Sequence, residues 1–432
     1  MNEATQVAPV QLGPLELWPP VVLAPMAGVT DVPFRALCRR FAVDGLARAG
    51  HTPTPARPPG LFVSEMITAR PLVEGDRKTL RLASFGPDET PRSLQLYGVD
   101  PYHVGEAVKR LVGEGLVDHL DMNFGCPVPK ITRRGGGSAI PVKPRLLAAI
   151  VGAAVRSAES VPVTIKFRKG IDDRILTYRE AGRVAQEEGC AAVGLHARTA
   201  EQFYEDGADW AAIAELVDLL DIPVFGNGDI WEADDALRML AETGCAGVIV
   251  GRGCLGRPWL FAEIAERMSG VAQRALPNFG AVAAVMREHA AAMVAWARRP
   301  EPGLGGDEGM GAELEARPVS RRTARKRESQ PRQTGPEALA MRAFRKHASW
   351  YTKGFRGSTL LRERLMHVDS LAALDLALAD CDGDEPFPRD ALRAPRGKRG
   401  RQPKVALPEG YLDDLDDARP PGAEAEQLSS GG

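Results

Sequence analysis

Residues 117–127 read VDHLDMNFGCP, an apolar run that starts near Val117 and gives way after Met122 to polar, glycine- and proline-containing turn residues. A run of that length bounded by turn residues reads as a buried strand ending in a loop. Helical patterns flank it at Pro101–Glu114 and Lys143–Ser157. Seven further runs of this kind begin near Val21 (VVLAP), Leu61 (LFVSE), Ser93 (SLQLY), Pro162 (PVTIKF), Ala191 (AAVGLH), Ile222 (IPVFGN) and Gly247 (GVIVG). Further helical patterns lie at Leu176–Glu188, Trp210–Leu220 and Glu232–Glu242. Near-continuous apolar strands alternating with helices imply a parallel sheet covered on both faces. Eight such units within roughly 240 residues predict an α/β chain folded as a closed (β/α)8 TIM barrel rather than an open sheet.

The strand signal stops after Pro258. Helical patterns at Trp259–Met268, Phe279–Arg298, Pro336–Tyr351, Thr359–Met366 and Asp369–Asp380 predict a smaller all-helical C-terminal domain over residues 259–388. It follows a barrel spanning 21–258 and an N-terminal extension of residues 1–20. Residues 47–60 read as an irregular insertion, and 300–333, rich in Gly, Glu and Arg, as a disordered one that cannot bury a core. Residues 389–432 read as a disordered tail, first basic and then acidic.

Composition fits a globular chain: 44% hydrophobic and 6% aromatic residues among 432 exclude wholesale disorder and a fibrous repeat. With no run of about 18 apolar residues, no membrane helix is expected. The N-terminus lacks the basic start and long apolar stretch of a secretory signal. Six cysteines without CxxC spacing argue against structural zinc and a disulfide scaffold, so free thiols in a reducing cytoplasm and no metal are expected. The net charge of -2 conceals segregation. Arg317–Arg332 and Arg342–Arg364 each carry seven basic residues against one acid, and Arg393–Lys404 carries six against none. Val405–Gly432 holds seven acids and one Arg. A balanced total therefore does not exclude a polyanionic partner.

The residues that can do chemistry fall at the carboxyl ends of the predicted strands, where barrel active sites are built. Ala24–Gly28, Gln95–Gly98, Asp121–Pro127, Lys166 with Arg168, His196–Thr199, Gly226–Asp229 and Gly251–Gly253 all occupy such ends. The stretch Gly251-Arg-Gly-Cys-Leu-Gly256 matches GxGxxG, but it closes the eighth unit instead of following the first strand of an open sheet. Gly228, Gly251 and Arg252 are read as a phosphate cradle, since loops after strands seven and eight of a barrel often hold one.

In order along the chain, PMAGVTD (Pro25–Asp31), QLYG (Gln95–Gly98), DMNFGCP (Asp121–Pro127), HART (His196–Thr199), GNGDI (Gly226–Ile230) and GRGCLGRPW (Gly251–Trp259) resemble the tRNA-dihydrouridine synthases, the bacterial B-type branch most closely. The likeness runs from about Val21 to Leu374. It implies a cytoplasmic, monomeric flavoenzyme that acts on tRNA, not on DNA or membranes, with FMN in the barrel and NADPH as reductant. On this chain Pro25, Met26 and Ala27 would pass along the flavin ring, with Gln95 bonding its pyrimidine edge and Lys166 charging the N1/O2 region. Asn227, Gly228, Asp229, Gly251 and Arg252 would hold the ribityl chain and phosphate. His196 and Arg198 would lie between flavin and substrate or bind the phosphate, and Asn123 would order the loop or enter the site. Cys126 would be the acid: hydride from flavin N5 reaches uracil C6, and the thiol delivers a proton to C5 from the opposite face.

For the RNA, the resemblance implies phosphate contacts from the helical domain and a uridine extruded into the barrel. Candidates are Arg342, Arg345, Lys346, Lys353 and Arg356, joined by Arg362 and Arg364 and interleaved with Phe344, Trp350, Tyr351 and Phe355. Lys130, Arg133 and Arg134, after the cysteine loop, would hold the flanking backbone. His51, His119 and His367 read as solvated or capping residues, His289 and His347 as no metal ligands, and Tyr97 and Trp259 as packing residues. The chain departs from the family pattern at Pro129, at the glycine-rich Gly135–Ser138 and at Ala197. Two other readings stay open: the same flavin barrel acting on a small molecule, and an RNA-binding protein on an inactive barrel.

Overall fold

The computed structural model describes residues 7–299, 335–397, 400 and 404–425; the expected insertion at 300–333 lies outside the described residues. Each apolar run identified above forms a parallel strand. They are β1 (Val21–Leu23), β2 in two halves (Leu61–Phe62 and Ile67–Thr68), β3 (Ser93–Tyr97), β4 (His119–Phe124), β5 (Val163–Arg168), β6 (Ala192–His196), β7 (Val224–Asn227) and β8 (Gly247–Val250). β1 pairs with β8 on one side and with the first half of β2 on the other. The second half of β2 pairs with β3, so the two ends of the sheet are pieces of one interrupted strand and the barrel closes. Between the halves, the Ser64 amide donates to the Ser93 carbonyl at 2.9 Å. A helical C-terminal region follows the barrel, as expected.

Strand alternation sorts side chains to the two faces of each barrel strand. Along β4, Leu120, Met122 and Phe124 join the apolar layer under the helices, while His119, Asp121 and Asn123 bond to side chains of neighbouring strands. The first helix, Val32–Arg48, starts directly after the β1 loop. Asp31 caps it by accepting from the Phe34 amide, and Pro33 sits in the first turn, where a missing N–H costs nothing. This helix ends at Arg48, so the irregular stretch begins at residue 49 rather than 47. That stretch is tied down: the Glu16 amide donates to the Ala56 carbonyl, and Arg57 pairs with Glu16 at 3.1 Å.

The N-terminal extension contains a hairpin, Val10–Leu12 with Leu15–Leu17, which the sequence reading did not anticipate. Its leucines pack with Val22, Leu61, Phe225 and Ile249 and stopper the end of the barrel opposite the site. Beyond the barrel, Leu260–Met268, Phe279–Ala297, Pro336–Tyr351, Ser358–Leu365 and Leu371–Leu378 are helices. Trp259, Phe279, Phe344, Tyr351 and Phe355 are buried in the helical domain's own core, so three of the aromatics interleaved with basic residues are packing groups.

The tail departs most from expectation. Among the described residues, 389–397 and 404–425 pack against the body. Arg393 pairs with Glu232 and Asp235, and buried Arg396 donates to the Trp350 carbonyl. Val405 and Tyr411 enter a cluster with Ala139, Val142, Ile171 and Ala200. The anchors are too sparse in a charged stretch to show as a periodic pattern.

Candidate active site

A cavity of about 410 Å³ opens at the carboxyl ends of the strands. Pro25, Met26, Ala27, Gln95, Asn123, Cys126, Lys166, His196, Arg198, Asn227, Gly228, Asp229, Gly251 and Arg252 all line it, so every residue expected to act on cofactor or proton is brought to one place. Lys346 and Trp350 line it from the helical domain, as does Gly397 from the tail. Missed by the sequence reading as site residues are Met66, Phe203 and Tyr204; that reading places Arg168 at a strand end without a role, and Trp350 among the aromatics of the RNA-facing cluster. Phe203 and Tyr204 follow the His196–Thr199 motif, and their aromatic pair was the available signal.

The walls are cationic. Burial and the neighbouring Arg168 bring the Lys166 ammonium down to about 8, partly offset by Asp121, so it stays mostly protonated at neutral pH. His196 is held neutral, first by burial and then by Arg168, Lys166, Arg198 and Arg252 around it. Arg168 donates to the carbonyls of Gly125 (3.1 Å), Thr199 (2.9 Å) and Phe203 (2.9 Å), lacing the cysteine loop to the loop after β6. Arg252 lies over the Tyr204 ring at 4.5 Å and the Trp231 ring at 5.3 Å.

Arg198, 2% exposed, forks onto Asp229 with two 2.8 Å contacts from Nη2. Its Nη1 is buried and has no partner. An unmet charged donor in such a place costs free energy unless an anion meets it. The spot is the Gly228 cradle: Gly228 has φ +132°, and a Cβ there would fall 2.6 Å from Ala208 Cβ and 3.6 Å from that same Nη1. Only glycine leaves this space open. Asp229 also lines the cavity, and its carboxylate accepts from Arg198 and the Ala208 amide, so it orients the arginine. The GxGxxG match is explained differently. Gly256 has φ +67° and a Cβ there would lie 2.4 Å from the Trp350 backbone, so this glycine lets the helical domain dock.

Cys126 sits on a loop held from inside the barrel. Asn123 Oδ1 accepts from the amides of Gly125 (3.0 Å) and Cys126 (3.1 Å), and Asn123 Nδ2 donates to Gln95 Oε1 at 3.0 Å. His119, expected to be solvated or capping, is buried between Ser93 and Thr164, and burial pushes its imidazole down to about 3.

The RNA-facing candidates are spread out. Lys130, Arg133 and Arg356 are exposed, and Arg134 and Arg342 are partly so. Arg134 reaches the Glu424 carbonyl. Arg345 donates to the Val368 carbonyl and Lys353 to that of Pro395, so these two brace the helical domain and tail. Lys346 crosses to the barrel and donates to the Gly28 carbonyl, placing it at the cavity rather than on an outer face. Among the described residues no group of His, Cys, Asp and Glu is arranged to hold a metal, and no helix is long and apolar enough to cross a membrane.

The rim of this (β/α)8 barrel thus gathers one thiol, a lysine and an arginine-lined glycine cradle around a single cavity, at the end of the barrel where active sites are built. The dihydrouridine synthase (Dus) family profile matches residues 22–302. Over 436 residues the chain is 46% identical to the "Probable tRNA-dihydrouridine synthase" of Mycobacterium tuberculosis, covering 100% of this chain and 99% of that protein. It is 37% identical to "tRNA-dihydrouridine synthase B" of Xanthomonas campestris over 292 residues, 68% of this chain and 82% of that one. Among solved structures, the old yellow enzyme from Trypanosoma cruzi aligns at TM-score 0.42 and 9% identity over 62% of this chain and 93% of that one, too distant to bear on function. The chain belongs to the dihydrouridine synthase family. It is a flavin-dependent oxidoreductase, and its reaction is the reduction of uridine to dihydrouridine in tRNA.

Proposed function

We propose that the cavity binds FMN, that NADPH is the reductant, and that Cys126 protonates the substrate. The observation that carries this reading is the convergence of Cys126, Lys166, Gln95 and the Arg198–Gly228 cradle on one cavity. FMN, once reduced by NADPH, would supply a hydride to C6 of the target uracil. The unmet Arg198 Nη1, Arg252 and the open face of Gly228 suit the FMN phosphate, while Gln95 and Lys166 suit the polar edge of its ring. Lys166 contributes positive charge where electron density collects on reduction, and His196, kept neutral, adds none.

Cys126 gives its Sγ proton to C5 of the uracil, which completes the saturation of the C5–C6 bond. Asn123, by fixing the amides of Gly125 and Cys126, keeps the thiol at the cavity wall. Exposed Lys130 and Arg133 near this loop, and Arg342 and Arg356 on the helical domain, are proposed to take backbone phosphates while the base enters the barrel.

A Cys126→Ala variant tests the assignment. It is expected to keep flavin absorbance and tRNA binding while turnover falls by about 10²-fold or more. Undiminished dihydrouridine formation, read by mass spectrometry of the tRNA, would overturn it.

A further inference from the structure

Asp121 has no part in the chemistry above, yet it lies at the centre of the site's hydrogen bonding. It is 6% exposed on β4. Its Oδ2 accepts from Gln95 Nε2 at 2.7 Å and its Oδ1 from Thr164 Oγ1 at 2.8 Å. A carboxylate only accepts, so each partner must turn a donor toward it. Gln95 therefore presents its oxygen on the far side, where Asn123 Nδ2 donates, and Asn123 in turn presents its own oxygen to the amides of Gly125 and Cys126. In the other direction, the Thr164 hydroxyl proton is committed to Asp121. The 3.1 Å contact then requires His119 Nε2 to donate to Thr164, leaving Nδ1 to accept from Ser93 Oγ at 2.8 Å. One anion thus fixes the sense of every link from Ser93 to the Cys126 amide.

We propose that Asp121 is a positioning residue for the reaction: its negative charge sets the direction of the Gln95–Asn123 chain and so the placement of the Cys126 loop. The proposal rests on reading Cys126 as the proton donor. The charged and titratable groups that face Asp121 are His119 on its own strand and Lys166 on β5, which share a small internal cavity with it, and Cys190 behind β6. Burial pushes the Asp121 carboxyl up to about 6, against the pull of Gln95, Thr164 and Lys166. Protonation near that pH turns one oxygen into a donor and releases Gln95 to flip.

The test uses the flavin-loaded enzyme and Asp121→Asn. Two readouts are the single-turnover rate on tRNA from pH 5 to 8 and the rate at which iodoacetamide alkylates Cys126. Expected are, for the parent, a fall in rate below about pH 6, and, for the variant, a reduction rate about tenfold or more lower at pH 7.5, loss of that acid fall, and a changed alkylation rate. A reduction rate within about twofold of the parent with the same acid limb would overturn the proposal. The double variant Asp121→Asn with Gln95→Glu rebuilds the chain: the asparagine donates to the glutamate, whose other oxygen still accepts from Asn123. It should return alkylation toward the parent rate, and a double variant alkylated no more like the parent than the single, or unlike the parent if the single does not fold, would also overturn it. Alkylation reports loop placement whether or not Cys126 is the acid, so failure here is separable from failure of Cys126→Ala.

Discussion

The loop carrying Cys126 is braced from two sides by unlike means. From within the barrel it is held by side chains of adjacent strands and by Arg168, whose bonds end on the backbone of Gly125 and Cys126 at the cavity wall. From outside it is held by the tail. Tyr411 lies with its hydroxyl 3.3 and 3.2 Å from the carbonyls of Gly135 and Ala139, and Lys143 pairs with Asp417 at 3.2 Å while its ammonium lies 4.6 Å from the Tyr411 ring centroid. Tyr97 and Arg134 reach the carbonyls of Ala425 and Glu424. The two braces differ in where they end: the inner bonds fix the backbone beside the Cys126 thiol, whereas the outer ones grip the Gly135 and Ala139 carbonyls further along the chain and include an ion pair, Lys143 with Asp417, that salt can weaken. The inner brace should therefore govern chemistry and the outer one the loop's stability and access.

Replacing the inner brace is expected to do the most damage. Arg168→Met removes the donor from three carbonyls at once. It should cost about 3 kcal/mol or more in denaturant unfolding, and about 10²-fold in turnover of whatever remains folded. If turnover survives at the parent level, the division between the two braces is wrong. Deleting the tail after residue 403 should act next most strongly, and differently. The deletion removes the acidic Val405–Gly432 stretch, with its seven acids against one Arg, and bares Arg134 and Lys143. Filter binding at low salt should show tRNA held several-fold more tightly, with the gain fading as salt rises. Trypsin should cut faster within residues 130–145, and turnover should fall by less than about tenfold. An unchanged affinity would mean that the acids do not shield this rim. Tyr411→Phe is the mildest: about 1 kcal/mol of stability lost, with kcat within about twofold of the parent.

The inner half of this design was far more legible than the outer. Barrel strands announce themselves because each is covered on both faces, and the motif residues stand at strand ends, so eight runs and their last few residues located nearly the whole cavity. The same coverage hid the buried network. In His119-Leu-Asp-Met-Asn-Phe124 the polar residues alternate with apolar ones, the signature of a strand with one polar face, but a reading tuned to continuous apolar runs passes over it. The break in β2 escaped notice because LFVSEMIT is apolar on either side of two polar residues. The tail and the destinations of Arg345, Lys346 and Lys353 escaped for another reason: a long basic side chain looks the same in sequence whether it meets RNA, water or a carbonyl 318 residues away, as Lys346 does at Gly28.

The gap in β2 gives the ring a seam. Elsewhere neighbouring strands are stitched along their length, but between Phe62 and Ile67 the ladder is interrupted and the Ser64–Ser93 backbone bond bridges the break, while Glu65 accepts from the Gly28 amide at 2.9 Å and Met66 faces the cavity. A hoop joined at such a place can dilate without tearing its other joints. Any widening of the mouth to admit a base, and any fastest-exchanging amides in the ring, should be found along this one seam.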